Sequence, residues 1–88
     1  EKQFESGVQI SPNPASNQTT LHYTLPASND VYCEVVNLLG QTVMSLRETQ
    51  SVGAQSLTIN TESLPTGSYL CRLQAGGYRQ SVLFIVSR

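Results

Sequence analysis

Hydrolytic chemistry needs a nucleophile, a base and an orienting acid within hydrogen-bond reach of one another, and this sequence supplies little of it. Its 88 residues include one histidine, His22, and one aspartate, Asp30. His22 is the only candidate base. It alternates with Leu21 and Tyr23, which puts it on the polar face of a strand as a solvated imidazole. Cys33 and Cys71 lie 38 positions apart with no CxxC or HxxxH companion, so no metal and no cofactor is expected. Asn17-Gln18-Thr19 fits the N-glycosylation triplet, a match that arises readily by chance. Leu64-Pro65-Thr66-Gly67 lacks the extra residue between Pro and Thr, the hydrophobic span and the basic tail of a cell-wall anchoring signal, and reads as a turn leading into a strand. No catalytic residue is assigned, and the chain is not expected to be an enzyme.

The elements that would position these residues are strands. Seven runs rich in β-formers are separated by turn residues at short intervals, with no helical periodicity over a useful length. They are Val8 to Ile10, Thr19 to Leu25, Val31 to Leu39, Thr42 to Glu48, Leu57 to Asn60, Ser68 to Gln74 and Tyr78 to Val86. The first stops at Ser11-Pro12-Asn13-Pro14, because proline removes backbone donors. Alternation places Leu21, Tyr23 and Leu25 inward in the second run, Val31, Cys33 and Val35 in the third, and Tyr69, Cys71 and Leu73 in the sixth. This pattern predicts an all-β, immunoglobulin-like, seven-stranded antiparallel β-sandwich. Tyr69, two residues before Cys71 and just past a Pro/Gly corner, occupies the place of a tyrosine corner, whose hydroxyl bonds back to upstream backbone; an ordinary core tyrosine is the other reading. The two cysteines share an inward phase on neighbouring strands, so a disulfide between Cys33 and Cys71 is open to them, as is a role as small buried hydrophobes.

Length and composition narrow the function. A chain of 88 residues supports one core, and 12% charged residues among abundant Ser, Thr, Asn and Gln is the balance of an extracellular β module. A net charge of −1 argues against nucleic acid or an anionic membrane as partner. Residues 1–62 hold all six acids against Lys2 and Arg47, whereas residues 63–88 hold Arg72, Arg79 and Arg88 and no acid. The longest apolar run, Val82 to Val86, has five residues and cannot span a bilayer. Residues 1–6 read as a linker from a preceding domain and residues 7–88 as the domain itself, the last of something longer.

That apolar run is the most informative segment. Val82-Leu83-Phe84-Ile85-Val86 is apolar on both faces, where a half-exposed sandwich strand alternates. One face is left over, to be covered by packing or presented to a partner by edge pairing or groove binding beside Arg79 and Arg88. The terminal strand is also a place where two copies of the chain would associate.

In combination and order, several segments resemble one family. They are Val8-Gln9-Ile10-Ser11-Pro12-Asn13-Pro14, the strand Thr19 to Leu25, Val35-Val36-Asn37-Leu38-Leu39-Gly40-Gln41 running into Val43, Leu64-Pro65-Thr66-Gly67-Ser68-Tyr69, and the apolar, basic-ended finish Ser81 to Arg88. From about Gly7 to Arg88 the chain is similar to the type A C-terminal sorting domains of the type IX (Por) secretion system of Bacteroidetes. The resemblance implies a sandwich that follows a cargo protein through the periplasm and is recognised by the outer-membrane translocon. It is then usually removed by a surface sortase that joins the cargo to anionic lipopolysaccharide, with cleavage near or before Glu1 to Gly7. Recognition weighted to the C-terminal segment maps onto Gly67, Tyr69, Val82, Leu83, Phe84, Ile85, Val86, Ser87 and Arg88. The family mostly has aliphatic residues where this chain has Cys33 and Cys71. Some members are uncleaved components of the surface machinery. An adhesive or carbohydrate-binding sandwich is the competing class, and it would want exposed aromatics or a calcium-binding carboxylate cluster, of which the chain has few.

Overall fold

The computed structural model describes Phe4 and residues 7–88 of the chain. Seven strands form: β1 (Gln9–Ser11), β2 (Gln18–Leu25), β3 (Asn29–Val36), β4 (Thr42–Gln50), β5 (Gly53–Asn60), β6 (Gly67–Ala75) and β7 (Tyr78–Val86). They make a three-stranded sheet of order β1-β2-β5 and a four-stranded sheet of order β4-β3-β6-β7, with every strand pair antiparallel. The alternation read from the sequence is what divides inside from outside. Leu21, Tyr23, Leu25, Leu57 and Ile59 from the smaller sheet meet Val31, Cys33, Val35, Tyr69, Cys71, Leu73, Phe84 and Val86 from the larger in one buried cluster.

Two polar contacts fix how the sheets sit together. Tyr23 Oη on β2 donates to Gln50 Oε1 at the end of β4, and Gln50 Nε2 donates to the Ser56 carbonyl on β5 at 3.0 Å. Gln50 is itself buried, so its amide bridges the two layers with both ends satisfied. Burial is the main reason the Tyr23 phenol is pushed up to about 12, with its bond to Gln50 acting the other way. At the opposite corner Tyr69 Oη donates to the Pro65 carbonyl at 2.6 Å, and the Tyr69 ring packs on Phe84 with centroids 5.8 Å apart. Of the two readings open for Tyr69, the hydroxyl bonded back to upstream backbone is the one the structure has.

The structure corrects several boundaries. The third strand ends at Val36 rather than Leu39, because Asn37 takes over the backbone. Its Oδ1 accepts from the Leu39 and Gln41 N–H groups at 2.9 and 3.0 Å, and Gly40 completes the turn at φ 84°. The fifth strand begins at Gly53, four residues before Leu57. Gly76 and Gly77 make a two-residue hairpin with positive φ (58°) at the first central position, as a type II′ turn demands; a Cβ on Gly76 would meet Asn29 Nδ2 at 2.6 Å.

The linker expected over residues 1–6 fails at Phe4. Phe4 is buried in the core cluster, its ring 5.7 Å from that of Tyr23 and 5.9 Å from that of Tyr78. An aromatic ring this well covered belongs to the domain. The rest of that stretch, residues 1–3, 5 and 6, lies outside the described residues.

Candidate functional site

The nine residues expected to carry recognition divide by the pleat of β7. Phe84 and Val86 are fully buried and Tyr69 nearly so, and no partner reaches them while the domain is folded. Val82 shares their inward phase and is half-buried, while Gly67 opens β6 in register with Val86. Leu83 and Ile85 point the other way and are 58% and 42% exposed. They are the leftover apolar face.

The edge of β7 is less available than its face. Ala15 forms a parallel bridge with Val86: its N–H donates to the Ile85 carbonyl at 2.7 Å and its carbonyl accepts from the Ser87 N–H at 2.8 Å. Asn13 Oδ1 accepts from the Ile85 N–H at 2.9 Å. The segment Asn13 to Ala15 thus satisfies the outward backbone groups from Ile85 to Ser87, where strand addition would otherwise begin. Arg88 continues the seal, its guanidinium donating to the Ser16 carbonyl at 2.6 Å and the Thr61 carbonyl at 3.0 Å. Edge pairing at the C-terminal end of β7, with a partner or with a second copy, would have to displace all of these. In the sequence Ser11 to Pro14 reads only as a strand stop; the signal for the seal is an Asn between two prolines, a short side-chain acceptor in a bend whose backbone the prolines restrict.

The exposed pair sits in a wider pattern on the outer face of the larger sheet. Across the register, Val36 of β3 lies beside Leu70 of β6, and Leu70 beside Leu83 of β7. Val36 is 2% exposed although it is outside the inter-sheet cluster, so this end of the outer face is apolar enough to cover a side chain of its own. The chain leaves Val36 into the Asn37-anchored turn, which carries Leu38 and Leu39 at 76% and 84% exposure, and returns into β4 with Val43 also exposed. Toward the other end of the face the rows become polar. Tyr32, Glu34, Arg72, Gln74, Arg79 and Ser81 line a shallow cleft, with Arg47 over the Tyr32 ring at 5.3 Å. Glu34 accepts from Thr42 Oγ1 at 3.0 Å and pairs with Arg72 at 3.4 Å.

The remaining candidates carry little chemistry. His22 is exposed on the outer face of the smaller sheet between Gln9 and Ser56. Among the described residues no group of three or more His, Cys, Asp and Glu could hold a metal, and no helix is long and apolar enough to cross a membrane. The disulfide open to Cys33 and Cys71 is not formed. Both are free, buried thiols, diagonal neighbours across β3 and β6, where the register sets Cys33 opposite Leu73 and Cys71 opposite Val35. Hydrogen bonding to the Cys33 sulfur, then burial, push the Cys71 thiol upward, which keeps it protonated and unreactive.

Residues 9–87 match the family described as secretion system C-terminal sorting domain. No curated protein sequence matches the chain. Among solved structures it is similar to dimeric latent PorU from Porphyromonas gingivalis, at a TM-score of 0.70 and 19% identity, over 90% of this chain. That identity speaks to the fold alone, and the chain spans only 9% of the length of that protein. A match that begins in β1, takes in all seven strands and ends one residue short of Arg88 places the chain in a family: it belongs to the C-terminal sorting domains of the type IX secretion system.

Proposed function

We propose that this domain is the address rather than the cargo: a folded, non-enzymatic signal that directs its parent protein from the periplasm through the type IX translocon, after which a surface sortase removes it and attaches the cargo to anionic lipopolysaccharide. Family membership itself implies contact with the secretion machinery and export across the outer membrane to the surface or the medium. The observation that carries the reading is the apolar pair Leu83 and Ile85, left exposed side by side in phase on β7, within a regular sheet rather than on a turn. The fold reading that goes with it is immunoglobulin-like. The order β1-β2-β5 facing β4-β3-β6-β7, and the hydroxyl of Tyr69 bonded back to Pro65, support it. An adhesive role has less to draw on, since the Tyr32 ring that would stack on a sugar is already covered by Arg47.

Deleting Val82 to Arg88 would be a poor test, because it removes Phe84 and Val86 from the core along with the exposed face. The informative variant is Leu83→Thr with Ile85→Thr, which keeps β-formers and changes only the outer surface. A reporter fused ahead of residues 1–88 is expected in the medium or on the surface of a type IX-competent host and inside the cell in a translocon-deficient one. The double variant is expected to lower export by about tenfold at unchanged melting temperature. Export that ignores the translocon would defeat the proposal.

A further inference from the structure

The apolar face of β7 does not stand alone. Val36, Leu70 and Leu83 form one row across three strands, Ile85 follows on β7, and the turn leaving Val36 holds Leu38 and Leu39 almost fully in solvent. Exposed leucines on a loop would ordinarily be mobile and cost entropy to dock. These are not loose: the Asn37 side chain accepts from Leu39 and Gln41, Asn37 Nδ2 donates to Gln41 Oε1 at 2.9 Å, and the Asn37 and Gly40 N–H groups close the turn at 3.0 Å each. A turn with this much internal bonding holds its backbone in place before any partner arrives, which lowers the ordering cost of binding.

The other end of the same face has the opposite chemistry. The cleft beside the row is lined by Arg72 and Arg79, with Arg47 over Tyr32, and Glu34 is the one carboxylate lining it. Asp30, exposed on the same face, adds a second carboxylate, so three arginines stand against two acids and this end stays cationic by one charge beside the apolar end, which gives the surface a direction.

Building on the sorting function proposed above, we infer that the recognition surface is this whole outer face, with the Leu38-Leu39 turn as a second anchor remote in sequence from the C-terminal strand. Its partner is a protein of the secretion machinery that offers an apolar groove to Leu38, Leu39, Leu83 and Ile85 and carboxylates to Arg47 and Arg72. Charge complementarity selects that occupant. A second copy docked on the same face would offer those arginines only Glu34, already paired with Arg72, and Asp30, already held by Thr49, and a bilayer would draw in the leucines but would lay both carboxylates against its headgroups.

The test uses the reporter fused ahead of residues 1–88 in three altered forms: Leu38→Ser with Leu39→Ser, Arg47→Gln with Arg72→Gln, and His22→Ser on the opposite sheet as a control. The leucine pair is expected to lower translocon-dependent export by about tenfold and the arginine pair by about threefold, with melting temperatures and the His22→Ser fusion unchanged. If the unaltered fusion is exported through the translocon and the leucine pair is exported equally well, the sorting function stands and this inference falls. If the unaltered fusion is not exported, the sorting function itself has failed. Two further outcomes would overturn the inference in favour of another occupant. One is flotation of the purified domain with phosphatidylcholine/phosphatidylglycerol vesicles that the leucine pair abolishes. The other is a sedimenting dimer that the leucine pair dissociates.

Discussion

Tyr23 shows how a single residue of this domain is tuned by where it stands. Its ring completes the core while its hydroxyl meets Gln50 between the sheets, and burial pushes the phenol from 10.0 up to about 12. An unfolded chain releases this proton near pH 10, whereas the folded domain keeps it until about pH 12. The contribution of Tyr23 to stability is therefore whole below pH 10 and is lost as the pH rises through 12. A shift of two units corresponds to about 2–3 kcal/mol. Urea unfolding at about pH 9 and about pH 12 should show wild type losing about 2–3 kcal/mol more across that interval than Tyr23→Phe, whatever the variant's lower starting stability. At this scale the sequence was legible wherever alternation governs. The inward phases of Leu21, Tyr23, Leu25, Val31, Cys33, Val35, Tyr69, Cys71 and Leu73 and the outward phase of His22 all follow from a period of two. What period cannot supply is register. Whether Cys33 faces Cys71 or sits diagonal to it depends on which residues of β3 and β6 pair, and no turn joins these two strands to fix that register locally.

At the scale of elements, β7 has the bounds its sequence predicts but an edge its sequence hides. Its apolar character was visible in the sequence, and so was the surplus face. Its sealed edge was not, because the seal comes from residues some seventy positions earlier, in a stretch whose prolines advertise only that pairing stops. Ile85 and Ser87 turn their N–H groups to Asn13 and Ala15, so Phe84 and Val86, one residue out of phase, turn theirs to β6. Asn13→Ala removes the side-chain acceptor and leaves the strand otherwise intact, a loss of about 1 kcal/mol. Amide hydrogen exchange should then speed up at Ile85 while Phe84 and Val86 keep their protection. Arg88→Ala, which frees the Ser16 and Thr61 carbonyls, should speed exchange at Ser87 in the same way. Equal protection in wild type and variants would mean that the seal does not restrain the strand. Turn chemistry misled the reading elsewhere too. Val35-Val36-Asn37-Leu38-Leu39 looks like one apolar strand until the Asn37 carboxamide competes for the backbone, and it is this competition that lifts Leu38 and Leu39 into solvent.

For the whole molecule the question is where the domain begins. Composition made residues 1–6 a linker, and one phenylalanine among polar neighbours gives no periodic signal to contradict that. Yet Phe4 is 4% exposed and packs against Tyr23 and Tyr78, one ring from each sheet, so it closes the space between the layers at the end where β7 starts. A small sandwich has little core to spare, and removing a buried phenylalanine costs about 3–5 kcal/mol in transfer and cavity terms. Phe4→Ala should therefore lower the unfolding free energy by about 3 kcal/mol or more in urea titrations, while Phe4→Leu, which refills most of the volume, should lose less than half of that. A linker residue would show neither effect. The result bears on the sorting function as well. Under the proposed function, a surface protease that cut ahead of Phe4 would release an intact sandwich, whereas one that cut behind it would leave Tyr23 and Tyr78 beside a cavity. If Phe4→Ala destabilises as stated, the released domain should persist after the first kind of cut and be degraded after the second, which mass measurement of the domain shed into the medium would distinguish.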